Sequence, residues 1–217
     1  MRMKARIANH KSPDFLKAIE TELKKRIASP YQKQFHMQNN NDDQATNFIY
    51  QTKSWNELQS KIAELTPELQ IYAVNRWYNF WSAQAVEAIF ISHPRVSKRT
   101  SETHATIDFF IDEIPFDHKS TVFPKAYPET LAYARSHPGH LIRWLYEKQS
   151  KERRHHLGNR LFIILYASHG QHWKLRAEIS LLQKQIHRHL DSFRKEHCYP
   201  LDFQGTVTLA DYIWIIQ

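Results

Sequence analysis

The chain has 217 residues, 41% of them hydrophobic, and carries 30 Lys and Arg against 22 Asp and Glu, a net charge of +8 with histidine neutral. That length supports one domain with a substantial core and room for a small helical extension. The lone Cys198 rules out an intramolecular disulfide and argues against a cysteine-based zinc site, four glycines leave no Gly-rich phosphate loop, and no apolar run approaches the roughly 18 residues of a membrane span.

A helix is expected from Pro13 to about Ile27, capped by Ser12, with Phe15, Ile19, Leu23 and Ile27 along one stripe. Residues 32–47 are polar and low in complexity, and read as a flexible connection. Ser54 followed by Glu57 forms a capping box for a helix to about Leu65, and Thr66 before Pro67 starts a third helix running to about Ser92. The second half of that helix is apolar nearly all round, with Glu87 inside the apolar run. Residues 1–70 are taken as an N-terminal helical region and 71–217 as an α/β core.

The pattern changes at residues 105–111 and 114–120, which alternate with a period of two around Asp112–Glu113 and predict an antiparallel hairpin. Residues 129–152 read as helix interrupted near Pro138–Gly139. Residues 161–167 read as a central strand, and 172–191 as an amphipathic helix with Leu175, Ile179, Leu182, Ile186 and Leu190 inward. Residues 206–216 read as a final strand. A mixed sheet with helices on both faces is the natural packing.

The hairpin register carries the chemistry. A symmetric loop centred on Asp112–Glu113 sets Asp108 opposite Asp117, with Lys119 on the same face and His118 turned to the other. Facing carboxylates repel unless a proton or cation lies between them, and a hard divalent ion, Mg²⁺ or Mn²⁺, is the natural neutraliser. A metal beside a lysine suits phosphodiester hydrolysis, where charge builds on phosphoryl oxygens.

Asp108 followed by Asp117-His118-Lys119 resembles the signature of the PD-(D/E)xK nuclease superfamily, although Ile107 stands where the motif's proline would be. The resemblance implies a restriction-endonuclease-like mixed β-sheet core flanked by helices. It implies that the carboxylates ligate Mg²⁺ and that the lysine assists the attacking water. An acidic residue on the helix before the first core strand is a frequent companion, and Glu87 matches that position. The same triplet pattern at Glu22-Leu23-Lys24 lies on a helix and is read as chance.

The pI of about 9.5 favours polyanions. Arg95, Lys98 and Arg99 precede the hairpin, Ser120, Thr121 and Lys125 follow its motif, and Arg143, Lys148, Lys151, Arg153, Arg154 and Arg160 cluster around the next helix end. Each set is a candidate phosphate contact. The expected function is a cytoplasmic, metal-dependent endonuclease acting on double-stranded DNA, working as a homodimer if it cuts both strands. The alternatives are a non-catalytic nucleic-acid-binding protein with the same fold, and an interaction protein whose N-terminal helices recruit a partner. The remaining histidines read as surface residues, Trp77 and Trp81 as core, and the His197–Cys198 pair as unsuited to nucleophilic chemistry.

Overall fold

A computed structural model describes residues 13–31, 39–98, 107–149, 158–203 and 205–217. The chain divides into two units, Met1–Ile89 with Arg176–Ser180, and Phe90–Leu175 with Leu181–Gln217. The boundary after Ile89 thus falls near the end of the long helix that begins at Pro67.

The first unit is helical: α1 (Pro13–Ala28), α2 (Asn40–Ala45), a 3₁₀ turn (Asn47–Tyr50), α3 (Trp55–Ile62) and most of α4 (Pro67–Ile91). On α1 the buried stripe is Leu16, Ile19, Leu23 and Arg26, with Phe15 and Ile27 half-buried, so the inward face is rotated from the expected one. Residues 40–45, expected within a flexible connection, are helical. Asn39 Oδ1 accepts from the Asp42 N–H at 2.8 Å, and Asp42 and Asp43 suit the positive end of the helix. The Tyr72 hydroxyl donates to Asp43 at 2.6 Å, which anchors α2 to α4. Ser54 caps α3 as its spacing predicts. Trp77 and Trp81 are core, and their indole N–H groups donate to the Thr52 and Ile49 carbonyls at 2.7 and 3.1 Å. Among the described residues no helix is long and apolar enough to cross a membrane.

The second unit carries a six-stranded mixed sheet. Its strands are β1 (Val96–Lys98), β2 (Phe109–Ile111), β3 (Ile114–Val122), β4 (Arg160–Tyr166), β5 (Tyr199–Phe203) and β6 (Thr206–Ile216), in the order β1-β2-β3-β4-β6-β5. β4 is central and runs parallel to both β3 and β6, while the other pairings are antiparallel. The fold class is therefore α/β, as expected. β1 and β5 are short edge strands absent from the sequence reading, β5 because Pro200 interrupts its pattern. The interrupted helix is two helices, α5 (Leu131–Ser136) and α6 (Pro138–Gln149). The helix expected over 172–191 is a 3₁₀ segment, His172–Ala177, followed by α7 (Ile179–Ser192), with all five inward residues buried.

The two sheet faces follow from alternation along β4. Phe162 and Ile164 pack with Ile142, Leu145 and Tyr146 of α6. Leu161, Ile163 and Leu165 therefore point to the other face, where His189 of α7 reaches Asp211 of β6 and Phe193 meets Phe116 of β3 edge-on. Asn159 sets the height of β4: its side chain donates to the Pro115 carbonyl at 3.0 Å and accepts from the Leu209 N–H at 2.9 Å.

The β2–β3 hairpin forms in the expected register, Ile111 with Ile114 and Phe109 with Phe116. Its two-residue turn places Asp112 and Glu113 at φ 45° and 69°. Paired positive φ values match the twist of a tight hairpin but cost a non-glycine residue about 1–2 kcal/mol. Glu113 is exposed, so Glu113→Gly is expected to raise stability by about 1 kcal/mol. Urea unfolding should show a higher midpoint at unchanged slope; an unchanged or lower midpoint would disprove the strain.

Candidate active site

β3 positions the central residues. Pleating gives Asp117 and Lys119 one face and His118 and Ser120 the other. The parallel pairing of Asp117 with Arg160 and of Lys119 with Phe162 identifies the first face as the one covered by α6.

Asp117 lies between two cations. Lys119 Nζ is 3.1 Å from Oδ1 and Arg160 Nε is 3.6 Å from Oδ2. Arg160 stacks over Tyr146 of α6 at 4.5 Å from the ring centre. The Arg160 side chain is 8% exposed and Asp117 21%, whereas the Lys119 side chain is 44% exposed.

Asp108 departs from the regular ladder. Its N–H donates to the Phe116 carbonyl at 2.9 Å, and β2 pairing stops at Phe109. The carboxylate turns towards His118, accepting from the backbone N–H at 3.0 Å and from Nδ1 at 2.8 Å, both through Oδ2. His118 is held in place by ring contacts with Phe90 and Phe109. Oδ1 of Asp108 has no protein partner among the described residues, and the side chain is 36% exposed.

The two carboxylates feel each other's charge and are driven apart in acidity. Burial pushes Asp108 up, but the His118 hydrogen bonds, the His118 charge and the Lys119 ammonium outweigh it and hold the carboxyl below its usual range. For Asp117 burial is the largest cause, the Asp108 charge adds to it, and Lys119 and Arg160 do not fully offset them, so its acidity is weakened. Asp108 therefore contributes stability above its unfolded pKa that is lost as pH falls through its depressed folded value. Asp117 contributes stability below its unfolded pKa that is lost as pH rises through its raised folded value. The charged form of Asp117 is thus disfavoured by its surroundings, a cost that a bound cation would relieve.

The donor set suits a hard divalent ion in kind: two carboxylates, one with a free oxygen, both reachable from solvent. Mg²⁺ is commonly held by one or two carboxylates with water completing its shell. Among the described residues no group of three or more His, Cys, Asp or Glu side chains is arranged to hold a metal. Glu87 belongs to the first unit and is half-buried rather than enclosed, so the second unit supplies two carboxylates of the implied set.

The expected phosphate contacts divide. Arg95 is corrected to a structural role, because all its donors are spent. Nε bonds Asp112 at 3.1 Å, Nη1 bonds the Leu190 and Asp191 carbonyls at 2.6 and 3.3 Å, and Nη2 bonds Asp112 and the Phe193 carbonyl. Ser120 lies on the His118 face of β3, opposite the face of Asp117 and Lys119. Lys125 is corrected by distance: β3 runs five residues from Asp117 to Val122, about 16 Å at 3.3 Å each, and Lys125 acts electrostatically on His172 beyond the far strand end. Lys98 is exposed at the end of β1, opposite Phe109, and Arg143 and Lys148 are exposed on α6. Arg99, Lys151, Arg153 and Arg154 lie outside the described residues.

Two members of the site were not assigned from sequence. His118 was set aside because alternation turns it away from Asp117, which it does; the bend at Asp108 brings the carboxylate to it. Arg160 stands in the sequence among the candidate phosphate contacts around the helix end, and the β3–β4 pairing instead sets it beside Asp117. Cys198 is buried, and burial with the nearby Asp211 charge pushes its thiol up to about 12, so it is no nucleophile. Comparison with family models, curated proteins and solved structures finds no match to this chain.

Proposed function

We propose that this chain is a metal-dependent nuclease hydrolysing DNA phosphodiester bonds, with Asp108 and Asp117 as ligands for Mg²⁺ or Mn²⁺ and Lys119 beside them. The observation that carries the reading is the pair of interacting carboxylates at the base of the hairpin, one with an ammonium group 3.1 Å away. A divalent ion there would polarise a phosphoryl oxygen and lower the pKa of a bound water. Lys119, with its side chain partly exposed, would position that water or stabilise charge on a phosphate oxygen. His118 fixes the Asp108 carboxylate, and Arg160 fixes Asp117. Lys98, Arg143 and Lys148, exposed and without an acidic partner among the described residues, could meet phosphates of a duplex.

Supercoiled plasmid incubated with the full chain and Mg²⁺ or Mn²⁺ should be nicked or linearised, and Asp117→Ala should abolish this. Equal cleavage by wild type and variant would remove the site from the chemistry.

One observation favours a second reading, a non-catalytic nucleic-acid-binding protein. Both carboxylates already have internal partners: Lys119 and Arg160 pair with Asp117, and His118 donates two hydrogen bonds to Asp108. Calorimetric titration with Mn²⁺ discriminates. A nuclease binds the ion in an Asp117-dependent way, whereas a binding protein shows no such heat yet binds DNA with a steep salt dependence.

A further inference from the structure

β6 runs from Thr206 to Ile216, but β5 accompanies it only as far as Ala210. Beyond that point β6 keeps β4 on one side, and its other edge is unpaired among the described residues. Alternate residues of a strand turn their N–H and C=O groups to opposite neighbours. Gln217 donates to the Tyr166 carbonyl at 3.0 Å on the β4 side, so Tyr212, Trp214 and Ile216 present their backbone groups outward. The first of these donors is occupied: the Tyr212 N–H bonds Asp211 Oδ1 at 2.8 Å. What remains is a row of alternating acceptors and donors over about 13 Å, four steps of 3.3 Å from Tyr212 to Ile216. No Lys, Pro or other charge within Tyr212–Ile216 guards it, although natural edges usually carry such a guard.

Beside this edge lies a cleft of about 400 Å³, walled by Gln185, Arg188, His189 and Ser192 of α7 and closed at the β5 end by Tyr199. The cleft's one carboxylate is Asp211, with Oδ2 2.9 Å from His189 Nε2 and Oδ1 accepting from the Tyr212 N–H. Arg188 is exposed and has no acidic partner among the described residues, so it offers the groove one cation free of an ion pair.

We propose that this edge is a docking groove for an extended acidic segment of a protein partner, which joins the sheet as an added strand. The partner's main chain satisfies Trp214 and Ile216, and an acidic side chain on its α7-facing side meets Arg188. Recognition of this kind draws affinity from the backbone and specificity from alternate side chains. A nucleic-acid strand suits the edge less well, because the exposed carbonyls need donors and a phosphodiester chain offers acceptors. A second copy also suits it less, because the uncharged stretch Tyr212–Ile216 brings nothing to Arg188.

The test uses the full chain and a fluorescein-labelled heptapeptide of alternating glutamate and valine, read by fluorescence polarisation. Saturable binding is expected, weakened about tenfold or more by the surface change Arg188→Glu, and lost when alternate peptide nitrogens are methylated. Circular dichroism verifies that the variant is folded. Absence of saturable binding overturns the proposal, as does equal binding of a lysine–valine peptide. Displacement of the peptide by a short oligothymidylate assigns the groove to nucleic acid instead. A concentration-dependent dimer, lost in Ile216→Lys, assigns the edge to a second copy and likewise overturns the proposal. None of these readouts depends on Asp108, Asp117 or Lys119, so the groove stands or falls separately from the nuclease reading.

Discussion

Arg160→Leu is expected to lower the unfolding free energy by about 2–3 kcal/mol, less than the 3–5 typical of a fully buried pair because Asp117 retains some contact with water. The guanidinium is 8% exposed, lies 3.6 Å from Asp117 and stacks on Tyr146. Leucine can replace part of the packing but neither the counter-charge nor the cation–π contact, and Asp117 is left with Lys119 alone. Loss of Nη1, buried without a partner, offsets part of the penalty. The double variant Asp117→Asn, Arg160→Leu should recover most of the stability, since no carboxylate then remains to be compensated. Urea unfolding of the two single variants and the double gives the coupling energy directly. Arg160→Leu unfolding within 0.5 kcal/mol of wild type, or strict additivity in the cycle, would show that the pair does not hold Asp117.

The hairpin register was legible because hydrophobic alternation and turn length together fix which residues face one another. Phe109, Ile111 and Phe116 all had to reach the core, and only one register allows it. The bend at Asp108 was not legible. It results from a competition between a ladder hydrogen bond and the His118 donors, which alternation does not encode. Arg160 was hidden for a different reason: a parallel pairing joins strands separated by two helices, and sequence spacing carries no register across such a connection. Lys125 shows the converse error, since eight positions past Asp117 is near in sequence but a strand's length away in space. Arg95 looked like a free cation in a polar segment; its partners, the α7 carbonyls and Asp112, come from elements whose approach is set by the tertiary fold.

The sharpest division between site and scaffold is expected at Lys119. Its pair with Asp117 is 3.1 Å long but the lysine side chain is 44% exposed, so Lys119→Ala should change stability by less than about 1 kcal/mol. Plasmid cleavage, by contrast, should fall about 10²–10³-fold, the scale on which a donor aimed at developing oxyanion charge acts. The pH profile separates two roles. Lys119 is the largest influence lowering the pKa of Asp117, against burial and the Asp108 charge that raise it. Without the ammonium, Asp117 becomes harder to ionise, so the residual activity should lose its acid side at a higher pH than wild type. Lys119→Arg keeps the charge and should leave that limb where it is, while still losing cleavage because a planar guanidinium cannot replace a compact ammonium at one oxygen. If Lys119→Ala cleaves at the wild-type rate across the pH range, the ammonium serves only to balance Asp117, and the site is a charge-neutral hairpin base rather than a catalytic one.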